Sequence, residues 1–334
     1  MTTDKTNDMH KFSFLIFAIL TLTIGCDQTK KVGELPSSTE HGSQRPETAP
    51  VPVSDAEANA RNPATSGSAA SDSIIGSIPE STGDVPFSLK FLSWNVESEG
   101  SDPATITKEL AALGNYDLIA LTEVLPGAAK EFCTACGDSY NYILTDSGRN
   151  DRMMLIYNRN SLNFVRKFEL DDINYKYRYR SPLVGQFKEP LSGKELLVMV
   201  NHLARGKEEI RQVQAKDLVK WGREQTMPVI ALGDYNFDYV FDTRKGNEAF
   251  RLFMKDNVWQ WIEPIELIDT NWYDNPEQPD GKDDYPGSML DFGFVAGPAK
   301  KWRTSCKVIV RDGDFPDNEK TSDHRPFEVI VSSK

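Results

Sequence analysis

From Phe87 to the C-terminus the chain is a succession of apolar runs of strand length, most separated by short polar connections. The runs are Leu89–Trp94, Leu118–Leu121, Tyr140–Leu144, Met153–Tyr157, Asn163–Phe168, Leu183–Phe187, Leu196–Asn201, Val229–Leu232, Leu290–Val295, Cys306–Val310 and Phe327–Val331. Segments this short and this apolar read as strands. Three stretches carry helical spacing instead. Asp102-Pro103 offers a cap residue and a first-turn proline ahead of Ile106, Leu110 and Leu113. Lys207–Arg223 sets Ile210, Val213, Leu218 and Trp221 on one face, and Gly246–Lys255 carries Phe250, Phe253 and Met254. Many strands and few helices predict an α+β protein in which two sheets pack face to face with helices outside.

This pattern starts only after a long preamble. Lys11 precedes an uncharged run, Phe12–Gly25, that ends at Cys26. The run suits a secretory segment and is too short to span a bilayer comfortably. Leu22-Thr23-Ile24-Gly25-Cys26 resembles a bacterial lipoprotein cleavage signal, with Thr23 where Leu is usual. Residues 1–26 are therefore expected to be a signal peptide that leaves Cys26 lipidated, with a plain cleaved signal as the alternative. Met9 is an alternative start. From Asp27 to Asp84 the chain has no aromatic residue and is dominated by small polar residues, Pro and Glu. Such a segment cannot bury enough apolar surface to offset chain entropy, so 27–84 is expected to be a disordered linker and 85–334 the folded domain. The implied location is exported: a lipoprotein anchored in the periplasm or at the cell surface, or else a secreted protein. A monomer is expected.

Charge narrows the partners. The whole chain carries −12, and from Val85 onward 32 Lys and Arg face 39 Asp and Glu, a net −7. Proteins that grip long duplex DNA present a basic face, so the balance weighs against that class, although carboxylates gathered round a metal also count. Cys133 and Cys136 have no second ligand pair to complete a zinc site, and in an exported protein they are expected to form a disulfide. Cys306 is expected buried and free.

The polar residues that punctuate the strands carry the chemistry. In order they are Asn95 after Trp94, Glu123 after Thr122, His202 after Asn201, Asp234 and Asn236 after Gly233, Asp291 after Leu290, and Asp323 with His324 after Ser322. Of four histidines only His202 and His324 lie outside the tail; His10 and His41 fall within it. Carboxylates and carboxamides suit Mg²⁺ or Mn²⁺, and imidazoles beside such an ion suit an oxyanion. The order Trp-Asn, Thr-Glu-Val, Asn-His-Leu, Gly-Asp-Tyr-Asn, Leu-Asp-Phe and Ser-Asp-His-Arg-Pro resembles that of the endonuclease/exonuclease/phosphatase superfamily, over roughly Ser88–Ser332.

That resemblance implies a four-layer α/β/β/α sandwich, and it implies roles. Glu123, with Asn95 beside it and Asp323, would hold the metal. Asp234 would orient or deprotonate the attacking water, and Asn236 would hold a phosphate oxygen. His324 would contact the scissile phosphate and Asp291 would orient it. His202 matches the histidine of the DNase I and sphingomyelinase branches, and Arg180 falls where a phosphate-contacting arginine stands. The activity implied is Mg²⁺- or Mn²⁺-dependent phosphoester hydrolysis, with a nuclease foremost. A sphingomyelinase-type or inositol-phosphate-type headgroup enzyme, or an inactive surface binding module, stands as the alternative. Tyr175–Arg180 alternates rings and cations; as a strand it would serve a substrate groove or a charged sheet edge. The acidic stretch Asp274–Asp284 would repel a long polyanion.

Overall fold

The computed structural model describes residues 85–175, 178–317 and 320–333. The expected signal segment and linker, with His10, Cys26 and His41, lie outside the described residues, as do Lys176 and Tyr177. Elements run in the order β1 (Ser88–Asn95), α1 (Pro103–Leu113), β2 (Leu118–Val124), α2 (Ala129–Ala135), β3 (Tyr140–Leu144), β4 (Arg152–Asn158), β5 (Asn163–Glu169), β6 (Leu183–Lys188), β7 (Glu195–His202), α3 (Glu208–Arg223), β8 (Val229–Val240), α4 (Glu248–Met254), β9 (Trp259–Trp261), β10 (Ser288–Ala296), β11 (Arg303–Val308) and β12 (Phe327–Ser332).

The strands form two six-stranded sheets, β11-β12-β1-β2-β4-β3 and β5-β6-β7-β8-β10-β9. Each is mixed. The parallel pairs are β1 with β2 and β7 with β8, and their crossovers are α1 and α3, as parallel strands require. Strand alternation sorts the side chains into layers. Leu89, Phe91, Leu118 and Ala120 meet Val198, Val200, Ile230 and Leu232 between the sheets. Leu92, Trp94, Ile119 and Leu121 point the other way, onto Ile106 and Leu110 of α1 and Phe132 of α2. Val229, Ala231, Phe292 and Phe294 lie under Leu218 of α3 and Phe253 of α4. The expected four-layer α/β/β/α sandwich is therefore what forms.

Local differences have local causes. Strand β8 runs to Val240 rather than stopping at Leu232, because Tyr235, Phe237 and Tyr239 continue the period-two pattern and bury in an aromatic cluster with Phe250 and Phe253. Helix α2 and the three-residue β9 carry too few residues for a periodic signal. None of the described residues of the alternating segment lies in a strand: Asp171–Ile173 forms a 3₁₀ turn, and the described residues from Asn174 to Tyr179 continue in turns, Asn174 Oδ1 accepting from the Tyr179 amide at 2.9 Å.

The expected Cys133–Cys136 disulfide is absent, and both thiols are free. Cys133 packs in the outer apolar layer, while the Cys136 thiol donates to the Phe132 carbonyl at 3.3 Å, one turn back. Burial pushes both thiols up, Cys136 to about 12, so neither is poised as a thiolate. Cys306 is free and buried, as expected.

Candidate active site

Strand β8 sets the centre of the site. In the β7–β8 register His202 stands opposite Asp234, and in the β10–β8 register Asp291 does. Three polar side chains thus meet at one level of the sheet, beyond the apolar stretches Leu196–Val200 and Val229–Leu232. Gly233, at φ +128°, makes the approach possible: a Cβ there would lie 2.1 Å from the Asn201 carbonyl. The other sheet supplies the opposite rim. Asn95 ends β1, and Glu123 sits in the register shift of β2 against β4 with φ +55°. The segment that ends at β12 is tied down at three points. Trp94 Nε1 donates to the His324 carbonyl at 2.8 Å, Ser322 Oγ donates to the Asn95 carbonyl at 2.6 Å, and Asn271 pairs with His324 as an antiparallel bridge.

These elements gather Asn95, Glu123, His202, Asp234, Asp291, Asp323 and His324 round one crater. His324 Nδ1 lies 2.7 Å from Asp291 Oδ2, which leaves Nε2 facing Asp234 Oδ2 at 4.0 Å and Asp323 Oδ1 at 3.8 Å. His202 Nε2 lies 3.5 Å from Asp234 Oδ2 and 3.7 Å from Glu123 Oε1. Asn236, at φ +50°, donates its own amide N–H to Asp234 Oδ1 at 2.8 Å and its side-chain nitrogen to the Leu203 carbonyl at 3.1 Å.

Two residues that the motifs did not single out complete the set. Asp151 Oδ1 lies 3.3 Å from His202 Nδ1, so each histidine is backed by a carboxylate. Glu97 Oε2 accepts the Asp323 amide at 3.0 Å. Asp151 just precedes β4 and shares the strand-end position that marks the others; Glu97, two residues past Asn95, has no comparable signal.

Arg180 does reach this region, but its guanidinium is engaged. Nη1 pairs with Asp151 at 2.5 Å, and Nε and Nη2 donate to the His202 and Leu203 carbonyls at 3.3 and 3.2 Å. Here it braces the His202–Asp151 pair.

The electrostatics are those of crowded carboxylates. Burial raises Glu97, and the charges of Asp323, Asp317 and Glu123 add to it, taking the carboxyl to about 8. Asp323 is raised for the same first reason, with Glu123 reinforcing it against His324 and Arg205. Burial alone would lower His324, yet Asp291, Asp323 and Asp234 outweigh it and hold the imidazole well above its ordinary value. Burial also raises its partner Asp291 against the pull of His324. The shared proton belongs on His324, which faces three carboxylates. Asp151 is pushed up by burial but held below the usual range by His202 and Arg180.

A divalent cation fits this chemistry. One donor atom each from Glu123, His202 and Asp234 lies within 4.8 Å of the others, and the surrounding raised carboxylates would be relieved by positive charge. Asp323, expected in the metal shell, lies beside this trio with Oδ1 3.8 Å from His324 Nε2. Asn95, also expected there, turns its amide nitrogen to Glu123 Oε1 and Asp234 Oδ2 at 2.9 and 3.2 Å, while its oxygen accepts the Glu97 amide. In this arrangement it orients the carboxylates. From the crater an open groove of about 1270 Å³ leads away past Arg205, Asn271, Tyr273 and Tyr285.

Comparison with known proteins gives a consistent family and fold. Residues 92–324 match the Endonuclease/Exonuclease/phosphatase family, while no curated protein matches. A Bacteroides thetaiotaomicron endonuclease/exonuclease/phosphatase family protein superposes with a TM-score of 0.57 at 20% identity, over 75% of this chain and 96% of that one. A mannosyl-6-phosphatase from the same organism gives 0.55 at 19%, over 73% and 99%. D. rerio TDP2, complexed with a single-strand DNA product, gives 0.57 at 17%, over 74% and 99%.

Proposed function

The chain belongs to the Endonuclease/Exonuclease/phosphatase family, and from that premise we propose that it is a divalent-metal-dependent phosphoester hydrolase, with Mg²⁺ or Mn²⁺ as the ion. The observation that carries this reading is the pair of carboxylate-backed histidines, His324–Asp291 and His202–Asp151, whose free edges both face Asp234. In this reading Asp234 takes a proton from the attacking water as its oxygen bonds to phosphorus, and the P–O bond to the leaving group breaks with the departing oxygen protonated by solvent. His324, held protonated by its carboxylate neighbours, donates from Nε2 to a phosphate oxygen, and Asp291 fixes the ring so that Nε2 is the free edge. Asn95 and Asn236 keep the Asp234 carboxylate in place. Glu123, His202 and Asp234 would hold the ion, which supplies neutralisation of the charge that develops on phosphorus-bound oxygens.

Within this class a small phosphoester is the substrate that the groove favours over a long nucleic acid. Its lining carries six carboxylates and two guanidinium groups, the reverse of an electrostatic funnel for a polyanion. That favours the phosphatase side of the family, represented among the structural neighbours by the mannosyl-6-phosphatase. The nuclease reading draws its support from the single-strand DNA product in the TDP2 neighbour. Release of phosphate or nitrophenol from chromogenic mono- and diesters, with Mg²⁺ or Mn²⁺ and after chelation, tests the class. Full activity in both Asp234→Ala and His324→Ala would refute the mechanism.

For location we propose export with lipid on Cys26, on the motif Leu22–Cys26 that precedes the described domain. No helix among the described residues is long and apolar enough to cross a membrane. Incorporation of labelled fatty acid, absent in Cys26→Ser, is the measurement.

A further inference from the structure

The guanidinium groups of Arg180, Arg205 and Arg211 differ in what they are free to do. Arg180 is spent on Asp151 and on the His202 and Leu203 carbonyls. Arg211, on α3, has a side chain only 8% exposed, and it gives Nη1 to the Ala204 carbonyl at 2.9 Å and Nη2 to Asp238 at 3.4 Å. Arg205 is exposed and lines the groove that leaves the crater. Its guanidinium lies 5.8 Å from the centre of the Tyr273 ring, and among the described residues no hydrogen bond or ion pair holds it.

Its place in the chain brings this free group to the crater. Arg205 follows His202 by three residues, on a connection that is pinned up to its own base. The Leu203 amide donates to the Asp234 carbonyl at 3.0 Å, the Ala204 amide donates to Gln214 Oε1 at 2.9 Å, and Arg211 holds the Ala204 carbonyl. Asn236 and Asp323 of the crater line the same groove. The Arg205 charge is felt at the Asp323 carboxyl, which itself stands 3.8 Å from the Nε2 edge of His324.

Charge says what such a group would serve. A phosphate monoester carries about −1.5 to −2 near neutral pH and presents three terminal oxygens. A diester carries less charge and has lost one of those oxygens to its second ester link. The extra charge must enter a crater rimmed by Glu123, Asp234 and Asp323, where Arg180 is already committed to Asp151. A guanidinium fork suits both the added oxygen and the added charge, and an exposed ring face holds a cation only weakly against that competition.

Resting on the hydrolase reading, we propose that Arg205 selects phosphate monoesters over diesters: its guanidinium leaves the Tyr273 ring and donates to the terminal oxygen that a diester lacks. It takes the phosphate contact for which Arg180, bound to Asp151, is not free.

The full chain with Mg²⁺ is assayed on p-nitrophenyl phosphate and bis(p-nitrophenyl) phosphate, the diester being read as a competitive inhibitor if it is not turned over. In Arg205→Ala, kcat/KM on the monoester is expected to fall about 10–100-fold, mostly through KM, and at least about tenfold more than kcat/KM or affinity for the diester. Inhibition by inorganic phosphate weakens by a similar factor, and Arg205→Lys, which keeps the charge without the fork, recovers part of the loss. An equal loss on both esters, no loss on either, or a wild type that hydrolyses the diester alone overturns the Arg205 assignment and leaves the hydrolase reading standing. A wild type that hydrolyses neither ester overturns both.

Discussion

Trp94 donates its indole N–H to the main-chain carbonyl of His324 across 2.8 Å of space and 230 residues of sequence. The ring is fully buried, with the Arg311 guanidinium 4.7 Å from its centroid. The residue beside Asn95 thus sets the height at which His324 enters the crater. Replacing it with Phe keeps the apolar volume but leaves a buried carbonyl unpaired, a loss of about 1–3 kcal/mol. Chemical denaturation of Trp94→Phe should show that drop together with reduced kcat. Unchanged stability would mean that the bond contributes nothing net.

The Asp291 carboxylate should be worth more to turnover than to substrate binding. Asp291→Asn keeps the shape but loses the charge that holds His324 protonated and Nε2 forward, so kcat should fall about 100-fold or more with little change in KM. In the metal-free protein the His324 imidazole, followed by NMR, should titrate at lower pH in the variant, because a neighbouring negative charge has been removed.

Glu97 predicts a pH dependence whose sign is fixed. Its folded value of about 8 lies above the ordinary 4.5, so the fold favours the protonated form. The stabilisation is fully present below about 4.5 and is lost as pH rises through 8. Chelator-treated protein should lose thermal stability across that window, and Glu97→Gln should flatten the slope. An identical slope in the variant would assign the titration to another group.

Asp151 is expected to act through His202. In Asp151→Asn, Arg180 loses its ion pair and His202 its carboxylate, and kcat should fall about 10–100-fold while the chain stays folded. If Arg180 instead binds the phosphate directly, Arg180→Ala should raise KM, whereas a bracing Arg180 lowers kcat and reproduces the Asp151 phenotype.

Glu123→Ala should abolish divalent-ion binding in calorimetry, since it removes one of the three donors that lie together. Asp323→Asn should weaken ion binding less than Glu123→Ala does, because Asp323 is not one of those three donors. Equal loss would return Asp323 to the metal shell.

Much of the architecture was legible because it is written locally. Alternation in Leu89–Trp94 and Val229–Leu232 sorts residues to the two faces of a strand whatever lies beyond them. Helix α1 announces itself through Asp102, whose carboxylate does accept the Ala104 and Thr105 amides. The expectation failed where the local signal was short, as at α2, or ambiguous, as at Gly233–Asn236, where turn-forming residues continue a strand. The alternation of rings and cations at Tyr175–Arg180 carries the same ambiguity: period two suits a strand, but the described residues of that stretch lie in turns.

The sequence by itself determined the layers, the family pattern and most of the polar residues at the strand ends. Only the tertiary structure decided which of them meet: that Asp151 backs His202, that Asn95 presents nitrogen and not oxygen to the carboxylates, and that Arg180 is spent on an ion pair. Periodicity is a property of a backbone a few residues long. Proton affinity and ion pairing depend on separations of a few ångströms between groups that can lie as far apart in sequence as Lys90 and Glu328, and those separations exist only once the two sheets have packed.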